Sequence, residues 1–95
     1  MDIHFEWDPK KADSNRRKHG VSFVEACAVF NDPLAIKLRD IDHSEQEERW
    51  ITMGQVGGQR FVVAVHTWQE DEDTIYVRII SARKATPHEI RDYQG

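Results

Sequence analysis

The sequence holds a single cysteine, Cys27, and no apolar run that approaches the length of a bilayer-spanning helix. A lone thiol excludes an internal disulfide and any zinc site built from clustered cysteines. Phe23, Ala26, Cys27 and Phe30 fall at i, i+3, i+4 and i+7. Cys27 is therefore expected to be a small buried hydrophobe on a helix stripe, with a reactive thiol as the lesser alternative. No signal-peptide core follows Met1, which points to a cytoplasmic location. Glycine is sparse, five in all, and none opens a helix after a strand, so phosphate loops of the Walker and dinucleotide types are missing. So is a Gly-x-Ser-x-Gly nucleophile elbow. Surplus positive charge is also lacking. The net charge of −4 argues against indiscriminate nucleic-acid binding.

What is present is unevenly placed. The 95 residues suffice for one domain, spanning 1–95, with one small core. Asp8 to Gly20 carries Lys10, Lys11, Arg16, Arg17 and Lys18 against Asp8 and Asp13. Arg78 to Gly95 carries Arg78, Arg83, Lys84 and Arg91 against Glu89 and Asp92. The acid lies between, in 40–48 and in Glu70-Asp71-Glu72-Asp73. A chain that is acidic overall can thus still present a phosphate-binding patch.

Taken in order, Ile3 to Trp7 alternates like a short strand. Asp8-Pro9 opens a helix with an N-cap carboxylate and a proline whose missing N–H costs nothing there. Cations from Arg16 to His19 suit the negative helix end, and Gly20 stops it. With little apolar surface beyond Ala12, this helix is expected to pack lightly. Ser22 and Glu25 form a capping box for a second helix, ended by Asn31-Asp32-Pro33. Leu34 to Leu38 reads as a strand, and Arg39 to Glu48 as a loop. Two strands, Arg49 to Val56 and Arg60 to Trp68, flank the hairpin signal Gly57-Gly58. Gln69 to Thr74 reads as a turn, Ile75 to Arg83 as the next strand, and Thr86 to Glu89 as the capping box of a last helix. The order β-α-α-β-β-β-β-α predicts an α+β domain: an antiparallel three- to four-stranded sheet with helices mainly on one face and the other open to a ligand.

The segment Ile75 to Ala85 stands out, because its β-branched residues are interleaved with Arg78, Ser81, Arg83 and Lys84. Strict period-2 alternation places Arg78 with Ile80 and Ala82 on one face, and Ile79 with Ser81 and Arg83 on the other. Two arginines cannot both enter a core unpaired. Either they sit in surface ion pairs or they form an anion site on the sheet.

Metal-free RNA cleavage by attack of the 2′-hydroxyl needs a base, an acid for the leaving oxygen, and cations for the phosphate. Arg78, Arg83, Lys84, Arg49 and Arg60 can supply cations from adjacent strands. His66, His43, Glu48 or Tyr93 can supply proton transfer, although His66, ending an apolar strand, fits a buried structural role at least as well. Asp40 to Glu45 contains ligand types, but their spacing matches no established metal loop, and a solvated loop is the expected reading. No metal or cofactor is expected. This inventory permits a ribonuclease without identifying one.

An ordered set of short motifs is more specific. Phe5-Glu6-Trp7-Asp8, Lys18-His19-Gly20-Val21-Ser22-Phe23, Ala26 with Val29-Phe30-Asn31-Asp32-Pro33, His43-Ser44 with Glu48-Arg49, and Arg78 to Ala85 continuing through Glu89 to Tyr93 together resemble the BrnT family of type II toxin–antitoxin toxins. The resemblance runs over nearly the whole chain. It implies a RelE-like ribonuclease toxin fold, with a sheet face as the RNA cleft and growth arrest as the outcome. It implies a BrnA-type ribbon-helix-helix antitoxin as partner, in a heterotetramer with the antitoxin dimer. Arg83, within the Ser81 to Ala85 block, is the first candidate for an essential residue. Arg78 and Arg49 follow at basic family positions, with His66 and Glu48 as proton carriers. Lys84, Arg60, Ser81 and Tyr93 complete the expected RNA contacts.

Two readings of function remain at this stage. One is an endoribonuclease toxin neutralised by its antitoxin. The other is a degenerate toxin that only docks its antitoxin and tunes repression, which the acidic balance favours. Direct DNA binding fits poorly, since no helix has the basic, base-reading character of a recognition helix.

Overall fold

A computed structural model describes residues 2–43 and 47–95, with the backbone alone at His43. Strand β1 (Asp2–Glu6) leads into helix α1 (Pro9–His19) and the short helix α2 (Phe23–Cys27), which runs on into a 3-10 turn, Ala28–Asn31. Strand β2 (Ile36–Arg39) precedes the hairpin of β3 (Arg49–Val56) and β4 (Arg60–Thr67). Strand β5 (Gln69–Asp71), the long β6 (Thr74–Lys84) and helix α3 (Pro87–Gln94) complete the chain.

The expected caps and the Gly20 stop are present, but the second helix leaves α geometry after Cys27 and reaches Asn31 as a 3-10 turn. Asp8 accepts from the Lys10 N–H, and Gly20 closes α1 at φ 70°. Both capping boxes form, Ser22 with Glu25 and Thr86 with Glu89. Gly57 and Gly58 turn the hairpin with positive φ at both positions, which only glycine adopts freely.

The sheet exceeds the three to four strands expected. Its order is β1-β6-β4-β3-β2, with β5 added on β6. The central β2-β3-β4-β6 portion is antiparallel as expected. At one edge β1 pairs with β6 in parallel, Ile3 opposite Ile75 and Phe5 opposite Val77. The acidic run read as a plain turn also pairs, Gln69 opposite Tyr76 and Asp71 opposite Thr74. Backbone hydrogen bonding there overrides a composition poor in strand formers.

The helices divide between the faces. Val21, Phe23, Ala26 and Val29, from α2 and its flanks, pack on Val62, Ala64, Val77, Ile79 and Ala82 of the sheet. The approach is close at Gly54, where an added Cβ would lie 3.0 Å from the Val29 carbonyl oxygen. Helix α3 instead meets the opposite face: Tyr93 packs edge-on against Phe61, and Glu89 pairs with Arg83. Phe61 lies one residue from Val62 on β4, so its side chain leaves the far side of the sheet. The expected one-sided helix layer is therefore corrected. The second face is roofed at one end by α3.

Helix α1 does more than pack lightly. Its Asn15 is buried and acts as a one-residue strand. Beyond Glu6, β1 no longer accompanies β6, and Asn15 fills that edge. Its Oδ1 accepts from the Ala82 N–H at 3.1 Å, and its Nδ2 donates to the Ala82 and Val21 carbonyls at 2.8 and 3.0 Å. Both N–H donors and the oxygen of the amide are thus satisfied in a dry setting, as burial requires.

Candidate functional site

The register of β6 on β4 slips once. Val63, Ala64 and Val65 oppose Arg83, Ala82 and Ser81, but His66 opposes Ile79. One extra residue on β6 is a β-bulge, and it reverses the alternation beyond it. Ile79 and Ala82 consequently share the helix-covered core. Arg78, Ser81 and Arg83 come out together on the other face. The strict alternation read from the sequence, which separated Arg78 from Arg83, is corrected by this bulge.

A strip of polar groups results on the face turned away from α1 and α2. At one end the Arg78 N–H donates to Thr67 Oγ1 at 3.0 Å, and Thr67 opposes Arg49 on β3. Arg49 and Arg78 are thus separated by one strand, about 10 Å between backbones. Arg83 lies roughly 15 Å further along β6, with Ser81 between. Arg78 pairs with Glu47 across the sheet end. Arg83 is gripped by Glu89 through two parallel bonds of 2.8 and 2.9 Å. The Arg83 grip holds the Glu89 carboxyl down at about 2, and Glu89 in return raises the Arg83 guanidinium. Glu89 also accepts from the Thr86 N–H at 2.8 Å, so helix cap and arginine partner are the same carboxylate.

Tyr93 leans over this end from α3. Its hydroxyl donates to Asp32 Oδ2 at 2.5 Å, and the same oxygen accepts from the Gln55 N–H at 2.7 Å. The Tyr93 bond lowers Asp32, and Asp32 raises Tyr93, so the phenol is held protonated.

Other expected site residues lie elsewhere. Lys84 opposes Val62 and Arg60 opposes Val56, both on the helix side of the sheet. Arg60 donates to the Gly20 carbonyl and pairs with Glu25, which ties β4 to α2. Glu48 is exposed and lies 3.5 Å from Arg39 near the β2 edge. The candidate metal loop and the His43-Ser44 pair run into residues 44–46 and the His43 side chain, outside the described residues.

His66 is the clearest correction. It is fully buried on the helix side, with Phe30 edge-on at 4.8 Å. Nδ1 lies 2.8 Å from the Thr67 carbonyl, which can only accept, so Nδ1 carries the proton. Nε2 is then the acceptor for the Thr52 hydroxyl at 2.6 Å. Burial drives its pKa down to about 4; the Thr67 bond opposes this, and the charge of Lys37 adds to it. That amine sits 3.7 Å from the centre of the Trp68 ring. A neutral imidazole with both nitrogens engaged and no solvent contact is a core strut, and it cannot reach a substrate on the arginine face. Cys27 follows its expected role: partial burial pushes its thiol up to about 11, leaving it unreactive.

Sequence reasoning missed Glu47, Glu89, Asp32 and Asn15 as organisers of the site. Glu89 was visible only as a capping residue, and its spacing of six from Arg83 gave no further sign. Nothing local marks Asn15, whose partner is 67 positions away.

Two comparisons bear on this arrangement. The profile of the family described as ribonuclease toxin, BrnT, of type II toxin–antitoxin systems matches residues 7–89. The 1.1 Å crystal structure of the Brucella abortus ribonuclease toxin BrnT superposes with a TM-score of 0.66 at 20% identity, covering 90% of this chain and 99% of that one. No curated protein matches in sequence. The chain belongs to the BrnT family of ribonuclease toxins of type II toxin–antitoxin systems.

Proposed function

We propose that this chain is an active endoribonuclease that cleaves RNA on the arginine face of its sheet, without a metal ion. The observation carrying the reading is the β6 bulge, which gathers Arg78, Ser81 and Arg83 on the face free of α1 and α2. Arg83 is the principal phosphate ligand, because its planar fork already holds a carboxylate bidentately and phosphate offers the same geometry. Arg78 and Arg49 stabilise charge on the pentavalent phosphate from the other end of the strip. The 2′-hydroxyl gives its proton to water as its oxygen bonds to phosphorus, the bond from phosphorus to the 5′-oxygen breaks, and that oxygen takes a proton from water, so the products are a 2′,3′-cyclic phosphate and a 5′-hydroxyl. His66 has no part in this chemistry. The fold is read as RelE-like. The protein acts in the cytoplasm, where a BrnA-type ribbon-helix-helix antitoxin dimer neutralises two toxin copies.

Expression without antitoxin should arrest growth, and Arg83→Ala at equal protein level should restore it. Purified toxin should yield cyclic-phosphate ends in the presence of a chelator. Full toxicity of Arg83→Ala, or a requirement for magnesium, refutes the assignment.

One observation favours the second reading, a toxin that only docks its antitoxin. Glu47 and Glu89 already neutralise Arg78 and Arg83. Purified protein that binds antitoxin but cleaves no RNA at any concentration would establish that reading.

A further inference from the structure

Strand β1 accompanies β6 only as far as Arg78, opposite Glu6. From the bulge to Lys84 the outer edge of β6 faces α1, and Asn15 closes it at Ala82 alone. Beside Asn15 an open groove of about 340 Å³ runs between helix and bulge, lined by Lys10, Lys11, Ser14, Lys18, His19 and Ser81. Positions 10, 11, 14 and 18 fall on one side of α1 and spread the amines over about 12 Å of helix.

Among the described residues, these amines are not neutralised. Asp13 is held by Arg16 at 3.4 Å and Arg17 at 3.1 Å, and Asp8 is occupied with capping the helix. Among the described residues, no carboxylate pairs with Lys10, Lys11 or Lys18. In a chain of net charge −4 this is a marked local surplus. Ser81 borders the groove and also sits between Arg78 and Arg83 on β6, so the groove is continuous with the arginine strip around the free strand edge.

We propose that this groove holds the sugar–phosphate backbone of single-stranded RNA leading away from the arginine strip. The inference rests on RNA being the substrate of that strip. An acidic protein segment fits less well. Ile80 is the large apolar side chain in its lining, and the groove offers no tryptophan, tyrosine or arginine anchor of the kind that dominates protein docking. Mobile lysine amines suit a flexible polyanion, and they add affinity without reading sequence.

The test uses the full chain carrying Lys10→Gln, Lys11→Gln and Lys18→Gln together. All three side chains are exposed, so the fold should survive, as circular dichroism can verify. Fluorescence anisotropy would follow a labelled single-stranded 12-mer and a trinucleotide over a range of salt concentrations, alongside the antitoxin. The triple variant should bind the 12-mer about tenfold more weakly, with the salt slope reduced by about 2, as three lost phosphate contacts imply. Trinucleotide and antitoxin binding should be unchanged. Unchanged affinity and slope for the 12-mer overturn the proposal. So does equal weakening for both lengths, or a loss confined to the antitoxin. Lysine-dependent 12-mer binding by a protein that cleaves nothing would sink the nuclease reading and leave the groove standing.

Discussion

Keeping His66 neutral and dry should make this protein acid-sensitive well above the usual carboxylate range. In the fold the imidazole titrates at about 4 against an ordinary 6.5, chiefly because it is buried. The unfolded chain therefore takes up the proton first as pH falls. The contribution is complete above pH 6.5, declines below it, and is gone once the folded pKa is passed. At about 1.4 kcal/mol per unit, the whole effect is about 3 kcal/mol, and about 2 kcal/mol of it is lost by pH 5. Against the roughly 5–15 kcal/mol typical of a small domain, that is a large share. Urea unfolding should show it as a midpoint about 1–2 M lower at pH 5 than at pH 7.5. Glu89 does not confuse the measurement. Its folded value of about 2 against 4.5 places its own loss below pH 4.5. His66→Gln should be less stable at neutral pH and should lose the slope. Equal midpoints at both pH values, or a His66 ring signal titrating near 6.5, would refute the account. The same result decides a functional point, since a buried neutral imidazole puts no limb of its own into the pH profile of RNA cleavage.

Three further outcomes follow from single contacts. Gly54→Ala should cost about 1–3 kcal/mol, because the new Cβ meets the Val29 backbone at 3.0 Å and backbone cannot swing aside; a melting temperature within a degree of the parent would contradict this. Asn15→Ala leaves the Ala82 N–H and two carbonyls without their partner, at about 2–3 kcal/mol. Faster hydrogen exchange at the Ala82 amide should accompany that loss. Glu89→Gln breaks a half-exposed ion pair worth at most about 1 kcal/mol, yet it should tighten RNA binding by freeing Arg83. Weaker binding in that variant would mean that Glu89 positions the guanidinium rather than competing for it.

Local chemistry was legible because its signals are local. Proline after Asp8, serine three before Glu25, Gly57-Gly58 and Gly20 each fix a short piece of backbone, and each appears where it was expected. The nearly continuous apolar run of β4 and the alternation of Ile75, Val77 and Ile79 in β6 likewise marked two strands that lie inside the sheet. What failed involved pairing across distance. Parallel pairing of β1 with β6 joins residues more than seventy positions apart. The Gln69 to Asp71 strand exists only because β6 supplies its hydrogen bonds. Within the candidate site, Arg83 was singled out through the family resemblance of the Ser81 to Ala85 block, and its sharing of a face with Arg78 was not foreseen. Nothing in Ile79-Ile80-Ser81 signals an extra residue, since two isoleucines suit a regular strand as well as a bulge. His66 shows the opposite limit. A histidine at the end of an apolar strand permits a base and a strut equally, and only Thr52, fourteen residues earlier, decides for the strut.

On the proposed reading, the two cationic regions would divide the work of handling an anionic polymer. The arginine strip is not a bare anion sink, because each principal arginine arrives with a carboxylate attached. An incoming phosphate must exchange with that carboxylate, and at Arg83 the exchange is nearly isosteric, since both partners take the guanidinium fork bidentately. Glu89 is not stranded by it: Oε1 already accepts from the Thr86 N–H at 2.8 Å, so the displaced carboxylate keeps its place at the helix cap. Exchange of this kind selects for geometry and gives little long-range pull. The α1 groove is the converse, with amines that no described carboxylate offsets and no rigid fork to impose an orientation. Under the proposal, attraction would reside mainly in the groove and charge stabilisation in the strip, with the β6 bulge at Ser81 where one passes into the other.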